Sequence, residues 1–213
     1  MLSRRLKQRI GSTTVLALCA LSLSAASANA GVLVRSAPPC DAQPLSSPFV
    51  PWLDFARYTP LASGDFESAA AGWRLRGGAG VAAGNETFQV GGPDDASSLS
   101  LPAGSSATSP AICVGLTHPT LRFFAKRRNG GTLGLSLLQV DVLFETALGD
   151  VARLPIGIVT PSSRWRPTLP MTVLANLLAL LPGERTPVAF RFKPLLGGAW
   201  SIDDVYVDPY QRR

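Results

Sequence analysis

Residues 187–193 read Pro187-Val188-Ala189-Phe190-Arg191-Phe192-Lys193. Val188, Phe190 and Phe192 fall on one side of an extended chain and Ala189, Arg191 and Lys193 on the other, because successive side chains of a strand point to opposite faces. One side is apolar and the other wet, which marks a half-buried strand rather than a helix with its 3.6-residue period. Toward the C-terminus, positions 200–207 keep apolar residues at Ile202, Val205 and Val207, but the phase slips at Asp203-Asp204, as a β-bulge or an inward-turned carboxylate would make it. Toward the N-terminus, short apolar runs stand at 72–76, 87–90, 97–101, 111–114, 120–126, 133–144, 151–158 and 164–169, separated by Gly, Pro and Asn clusters. That spacing predicts an all-β sandwich of antiparallel strands. The stretch 171–181 departs from the pattern: its continuous Leu/Ala character, ended by Pro182-Gly183, predicts a short helix capping an open end of the sandwich.

Residues 31–62, rich in Pro, Ser and Ala, contain Pro38-Pro39, Pro44, Pro48, Pro51 and Pro60, which forbid a long regular element. They are expected to lie as an extended lead-in over a domain formed by 63–213. Ahead of them, residues 1–30 have the layout of a secretory signal: Arg4, Arg5, Lys7 and Arg9, an apolar stretch from Thr13 to Leu23, and Ala28-Asn29-Ala30 as a small-residue cleavage site. Cleavage near Ala30 would place the mature chain outside the cytoplasm, secreted or in the cell envelope. It would also lower the net charge of +6 by four, because the signal carries four basic residues and no acid. The high pI is therefore largely a property of the export signal. No basic stripe with interleaved aromatics remains to suggest a nucleic-acid partner; nor does any apolar run reach the roughly 20 residues of a membrane span. A monomer is expected. All but three of the 20 basic residues are arginine, a bias that with the abundant Ala, Gly and Pro fits a GC-rich bacterial genome and carries little functional weight by itself.

Cys19 would leave with the signal. Cys40 and Cys113 would remain as an even pair in an oxidising compartment, and a disulfide between them is expected. It would close a loop of about 70 residues and contribute ~3–4 kcal/mol in the chain-entropy model.

Two acidic motifs stand at opposite ends of the domain: Gly64-Asp65-Phe66-Glu67, with Trp73 six residues on, and Trp200-Ser201-Ile202-Asp203-Asp204-Val205. This pair resembles the beginning and end of the jelly-roll carbohydrate-binding modules and galactose-binding-like domains of secreted bacterial proteins, over about 63–209. The resemblance implies a jelly-roll sandwich whose first and last strands run side by side, with a calcium ion commonly held between them. It implies Glu67 and Asp204 as ligands, with Asp65 and Asp203 next. Such a cage is chemically sound, since Ca²⁺ takes six to eight hard oxygen ligands from carboxylates and carbonyls. The resemblance also implies a polysaccharide or cell-wall glycan as partner, bound by exposed aromatics on a sheet face or in end loops. Trp73 and Trp200 sit in strand motifs and are expected in the core, and Trp52 is expected to plug the lead-in onto the domain. Trp165, between Arg164 and Arg166, remains as the candidate sugar platform.

Catalytic signals are few. The single histidine, His118, stands before Pro119 in a loop; there is no Gly-x-Ser-x-Gly elbow and no His/Cys grouping for zinc. Asp94-Asp95 after Gly91-Gly92-Pro93 is expected to be a turn, and Asn85-Glu86-Thr87 matches a glycosylation sequon that would be idle in a bacterium. The expected function is therefore a non-catalytic binding domain. An envelope or adhesion sandwich without a sugar site is the first alternative, and a small polysaccharide hydrolase or lyase the second.

Overall fold

The computed structural model describes residues 43–116, 119–131, 134–146, 148–175 and 185–208. Its strands are β1 (Thr59–Pro60), β2 (Arg74–Arg76), β3 (Gly80–Ala83), β4 (Ser97–Leu101), β5 (Ser106–Thr108), β6 (Ile112–Val114), β7 (Thr120–Asn129), β8 (Leu137–Glu145), β9 (Val151–Val159), β10 (Arg166–Pro167), β11 (Met171–Thr172), β12 (Thr186–Leu195) and β13 (Ala199–Asp208). They form two antiparallel sheets. Sheet I runs β10-β7-β13-β4-β3, with β11 also on β7 and β1 also on β13; sheet II runs β2-β5-β12-β8-β9, with β6 also on β12. The result is the all-β jelly-roll sandwich that the strand spacing and the end motifs imply.

The alternation at 187–193 becomes β12, in the middle of sheet II. Val188, Phe190 and Phe192 are buried there beside Val140 and Val142 of β8, and they meet Leu99, Phe123, Trp200 and Ile202 of sheet I in one core. Last and first strands lie side by side: β13 pairs with β4 along its first half and with β1 along its second. The register of β13 against β7 shifts between Asp203 and Tyr206, so Asp204 and Val205 of β13 stand opposite the single residue Phe123 of β7. That is the bulge expected from the phase slip, and Asp204 turns at φ 49° within it. The Gly-Asp-Phe-Glu motif abuts this bulge, with Val205 N donating to Gly64 O at 3.1 Å. A Cβ at Gly64 would stand 3.0 Å from Leu61 O and 3.1 Å from Val205 O, so glycine is needed for that approach.

The lead-in adds a second, smaller core on the outer side of sheet I. Phe49 stacks on Phe124 at 5.5 Å and meets Tyr58 and Tyr206 edge-on at 4.9 and 5.7 Å. Trp52, in a 3-10 turn (Val50–Trp52), packs on Phe124 at 5.3 Å and on Phe88 at 4.7 Å, as expected of a plug. A buried ion pair bolts the segment down: Arg122 Nη1 donates to Asp54 Oδ2, its Nε donates to Thr168 O at 2.9 Å, and its guanidinium carbon lies 4.1 Å from the Phe49 ring centroid. Tyr58 Oη also donates to Asp54, at 2.7 Å.

Local chemistry explains three departures from the expected elements. Positions 87–90 are a turn rather than a strand, because the Glu86 carboxylate accepts the N–H groups of Phe88 and Val90 that a ladder would use. At 171–181 the chain begins not as a helix but as β11, whose backbone is engaged by β7; Val173 N donates to Pro119 O at 2.9 Å and Leu174 turns at φ 58°. Residues 176–181 of that expectation lie outside the described residues. β3 and β5, built from Gly, Ala, Ser, Thr and a single Val, carried too little apolar contrast to be anticipated.

Candidate functional site

The bulge on β13 and the turn at 86–95 create a buried acidic cluster. Glu86, Asp95 and Asp204 each offer a carboxylate oxygen, and these oxygens lie within 4.8 Å of one another. All three side chains are buried: Glu86 is fully enclosed, Asp95 is 8% exposed and Asp204 2%. Asp203 organises the cluster from behind. Its Oδ2 accepts Glu86 N at 2.8 Å and its Oδ1 accepts Asp204 N at 3.0 Å. Gly91 permits the approach of the turn, for a Cβ there would stand 2.8 Å from Asp95 Oδ2.

Electrostatically the cluster is out of balance. Burial, with Glu67 and Glu86 close by, pushes the Asp95 carboxyl up to about 7. Burial and the charges of Asp95 and Glu86 push Asp204 up to about 7. Burial, opposed by donation from Glu86 N and reinforced by Asp204 and Asp95, pushes Asp203 up to about 9. Both oxygens of Asp95 and Oδ2 of Asp204 are buried and accept no hydrogen bond. Unpaired buried carboxylate oxygens are costly, and a hard cation on an all-oxygen donor set would satisfy them.

Of the four residues the motifs imply as ligands, Asp204 belongs to this cluster and Asp203 supports it. Glu67 lies beside it, where its Oε1 accepts Ala96 N at 2.9 Å and Ser97 N at 2.6 Å, anchoring the start of β4. Although burial pushes the other way, those donors hold the Glu67 carboxyl below the usual carboxylate range. Asp65 is exposed and accepts Glu67 N at 3.3 Å in a local turn. Asp95 and Glu86 were missed because each sits in a segment whose local sequence reads as a turn or as a sequon. The pairing that makes them a site is between segments more than 100 residues apart.

Trp165 is not a surface platform. It is 5% exposed, packed with Phe124 and Tyr206 in the second core and capped by Lys126 Nζ at 4.8 Å from the ring centroid. Trp73 and Trp200 are buried in the main core, as expected, with Trp73 Nε1 donating to Ala62 O at 3.0 Å. His118 and Cys40 lie outside the described residues.

The outer face of sheet II is different. Arg74 pairs with Thr108, Thr108 with Arg191, and Arg191 with Asp141, so these four form one row across β2, β5, β12 and β8. Two residues along, Arg76 pairs with Ser106 and Lys193 with Gln139. A depression of about 350 Å³ opens here, lined by Arg74, Arg76, Ser106, Thr108, Arg191 and, on its apolar side, Leu143 and Val151. Asp141 is fully buried beneath it. Its Oδ1 accepts Gln139 Nε2 at 2.5 Å; its Oδ2 accepts no hydrogen bond and lies 3.7 Å from Arg153 Nε. A larger cleft of about 850 Å³ lies between the sheet edges, along Ile156–Thr160 and the 161–172 segment.

No family model matches the chain, and no curated protein matches it significantly in sequence. Among solved structures it is similar to the family 22 carbohydrate-binding module and catalytic module of endo-1,4-beta-D-xylanase 10B of Clostridium thermocellum, complexed with xylohexaose. The identity is 15%, the match covers 68% of this chain and 28% of that one, and the TM-score is 0.48. It is also similar to a xylan-binding domain of the same kind from Paenibacillus barcinonensis, at 14% identity over 70% of this chain and 93% of that one, with a TM-score of 0.46. Among the described residues no helix is long and apolar enough to cross a membrane.

Proposed function

We propose that this chain is an exported, non-catalytic glycan-binding domain that uses the outer face of sheet II. The observation that carries the proposal is that this face is open, polar and ordered by strands. Arg74, Thr108 and Arg191 stand in one row around a depression with an apolar side, whereas aromatic side chains cover the centre of the outer face of sheet I. Hydroxyls and guanidinium groups are donors and acceptors that sugar hydroxyls need. Leu143 and Val151 offer a C–H surface to a pyranose ring.

The acidic cluster supports a structural role for calcium. Glu86, Asp95 and Asp204 would hold the ion, with Asp203 fixing the backbone behind them, and it would supply the positive charge that the unpartnered oxygens lack. It would fasten the 86–95 turn to the last strand. Export with cleavage near Ala30 and a Cys40–Cys113 disulfide complete the proposal. In support of the disulfide, Gln43, three residues after Cys40, donates its Nε2 to Cys113 O at 3.0 Å. A second reading, an envelope or adhesion domain with no sugar site, is favoured by one observation: among the described residues no aromatic side chain faces outward from sheet II.

Screening the mature protein against polysaccharides and a glycan array, with and without chelator, tests the proposal. Retention on at least one glycan class that is lost when residues of the sheet II face are changed is expected. Uniformly negative binding would overturn it in favour of the second reading.

A further inference from the structure

The geometry points to an acidic polysaccharide as the ligand of the sheet II face, its anionic groups held by Arg74, Arg76 and Arg191. This inference rests on the glycan-binding reading above and narrows it to a substrate class. By strand alternation, the outward side of sheet II carries five cations, Arg74, Arg76, Arg153, Arg191 and Lys193, against two carboxylates, Asp141 and Glu145. The only ion pair among the described residues on this face is the 3.7 Å contact of Arg153 with Asp141. Arg74, Arg76 and Arg191 make no side-chain hydrogen bond or ion pair to any described residue. Arg74 and Arg191 both flank Thr108, one from each neighbouring strand.

Exposed arginines usually scatter or pair with acids. Three guanidinium groups unpaired among the described residues around one depression create a local positive field with planar donors, which suits bidentate recognition of a carboxylate or a sulfate ester. A neutral glycan would use their hydrogen bonds but leave the charge uncompensated.

One feature favours a glycan over a nucleic acid as the polyanion: the apolar side of the depression is Leu143 and Val151, not an aromatic platform on which a base could stack. Uronate and sulfated sugars share the required chemistry, a ring with equatorial C–H surface, hydroxyls and a fixed anion.

The test is calorimetric titration of the mature protein with three oligosaccharides of equal length: oligogalacturonate, neutral galacto-oligosaccharide and a sulfated heparin-type oligosaccharide. A DNA duplex of matched charge serves as competitor. At least one acidic sugar should bind about tenfold or more tightly than the neutral one, weaken as salt rises from low to half-molar, and fail to be displaced by the DNA. Which acidic sugar wins distinguishes carboxylate from sulfate. The doubly substituted variant Arg74→Gln, Arg191→Gln should lose that preference, while Arg164→Gln, on the edge cleft, should keep it. Should the double variant not fold, the salt dependence and neutral-sugar comparison of the unaltered protein still decide. Equal binding of neutral and acidic sugars would overturn this inference and leave the glycan-binding proposal standing. Displacement by DNA would overturn the inference by showing an unselective polyanion surface. Binding of no sugar at all would overturn both.

Discussion

The outer faces of the two sheets received opposite treatment from the same chain. On sheet I the outward side chains Phe124 and Tyr206 are covered by Phe49, Trp52 and Tyr58 of the lead-in, and the arginine beside them, Arg122, is buried against Asp54. On sheet II the outward side chains include Arg74, Arg76, Arg191 and Lys193, and no segment among the described residues covers them. A large aromatic side chain is stable outside a sheet when something closes over it, and an arginine when water or a partner reaches it. Sheet I therefore holds the molecule together on both sides, while sheet II does so on its inner side only and leaves its outer side free to bind.

If that division is right, substitutions on the two faces should separate cleanly. The largest effect is expected from Phe49→Ala, which opens the centre of the covered face and should cost about 3–5 kcal/mol in urea unfolding; a loss under about 1 kcal/mol would mean the lead-in is not part of the fold's stability. Arg122→Met should cost about 3 kcal/mol near neutral pH, because it strands Asp54 without its partner. The pH dependence has a definite sign. Tyr58, Ala56 N and Arg122, outweighing desolvation, hold Asp54 below its usual value in the fold. Its contribution is therefore present above the unfolded carboxyl value and is lost as pH falls through the lowered folded one. The deficit of Arg122→Met should accordingly shrink in acid.

The acidic cluster gives an intermediate effect of opposite sign. Asp95 and Asp204, raised to about 7, and Asp203, raised to about 9, keep protons in the fold that the unfolded chain has already released. Without metal, stability should fall as pH rises from about 4 through those folded values. Calcium should offset the loss, by about 2.7 kcal/mol at a hundredfold excess over its Kd. Melting curves with calcium and with chelator should thus diverge near pH 8 and converge near pH 5. Superposition at both would remove the calcium proposal. Asp204→Asn should abolish the divergence. The smallest effect on stability is expected on the open face, where Arg191→Gln should shift unfolding by no more than about 0.5 kcal/mol while weakening glycan binding.

How much of this was legible in the sequence follows from the range over which each signal acts. The alternation of 187–193 and the phase slip at Asp203-Asp204 are local, and β12 and the β13 bulge stand where they imply. The side-by-side placement of the chain ends came from two motifs together. What escaped depends on tertiary pairing. Glu86 read only as part of a sequon ahead of an expected strand until its carboxylate was seen to take the N–H groups of Phe88 and Val90. Asp95 read as a turn residue until the bulge set Asp204 against it. Trp165 remained as the sugar platform because the other three tryptophans were expected inside, yet it turns into a second core built from Phe49 and Tyr58, more than 100 positions away, and from Phe124 and Tyr206. Arginine enrichment, uninformative as composition, gains meaning only through strand register, which gathers Arg74, Arg76 and Arg191 around one depression.

The most direct test of the division between the faces is hydrogen exchange of the mature protein with and without a bound acidic oligosaccharide. Added protection on β2, β5, β8 and β12, with the covering segment 46–58 unchanged, is the expected result. Protection confined to 46–58 or to the edge cleft at 156–172, with β12 unaffected, would contradict it.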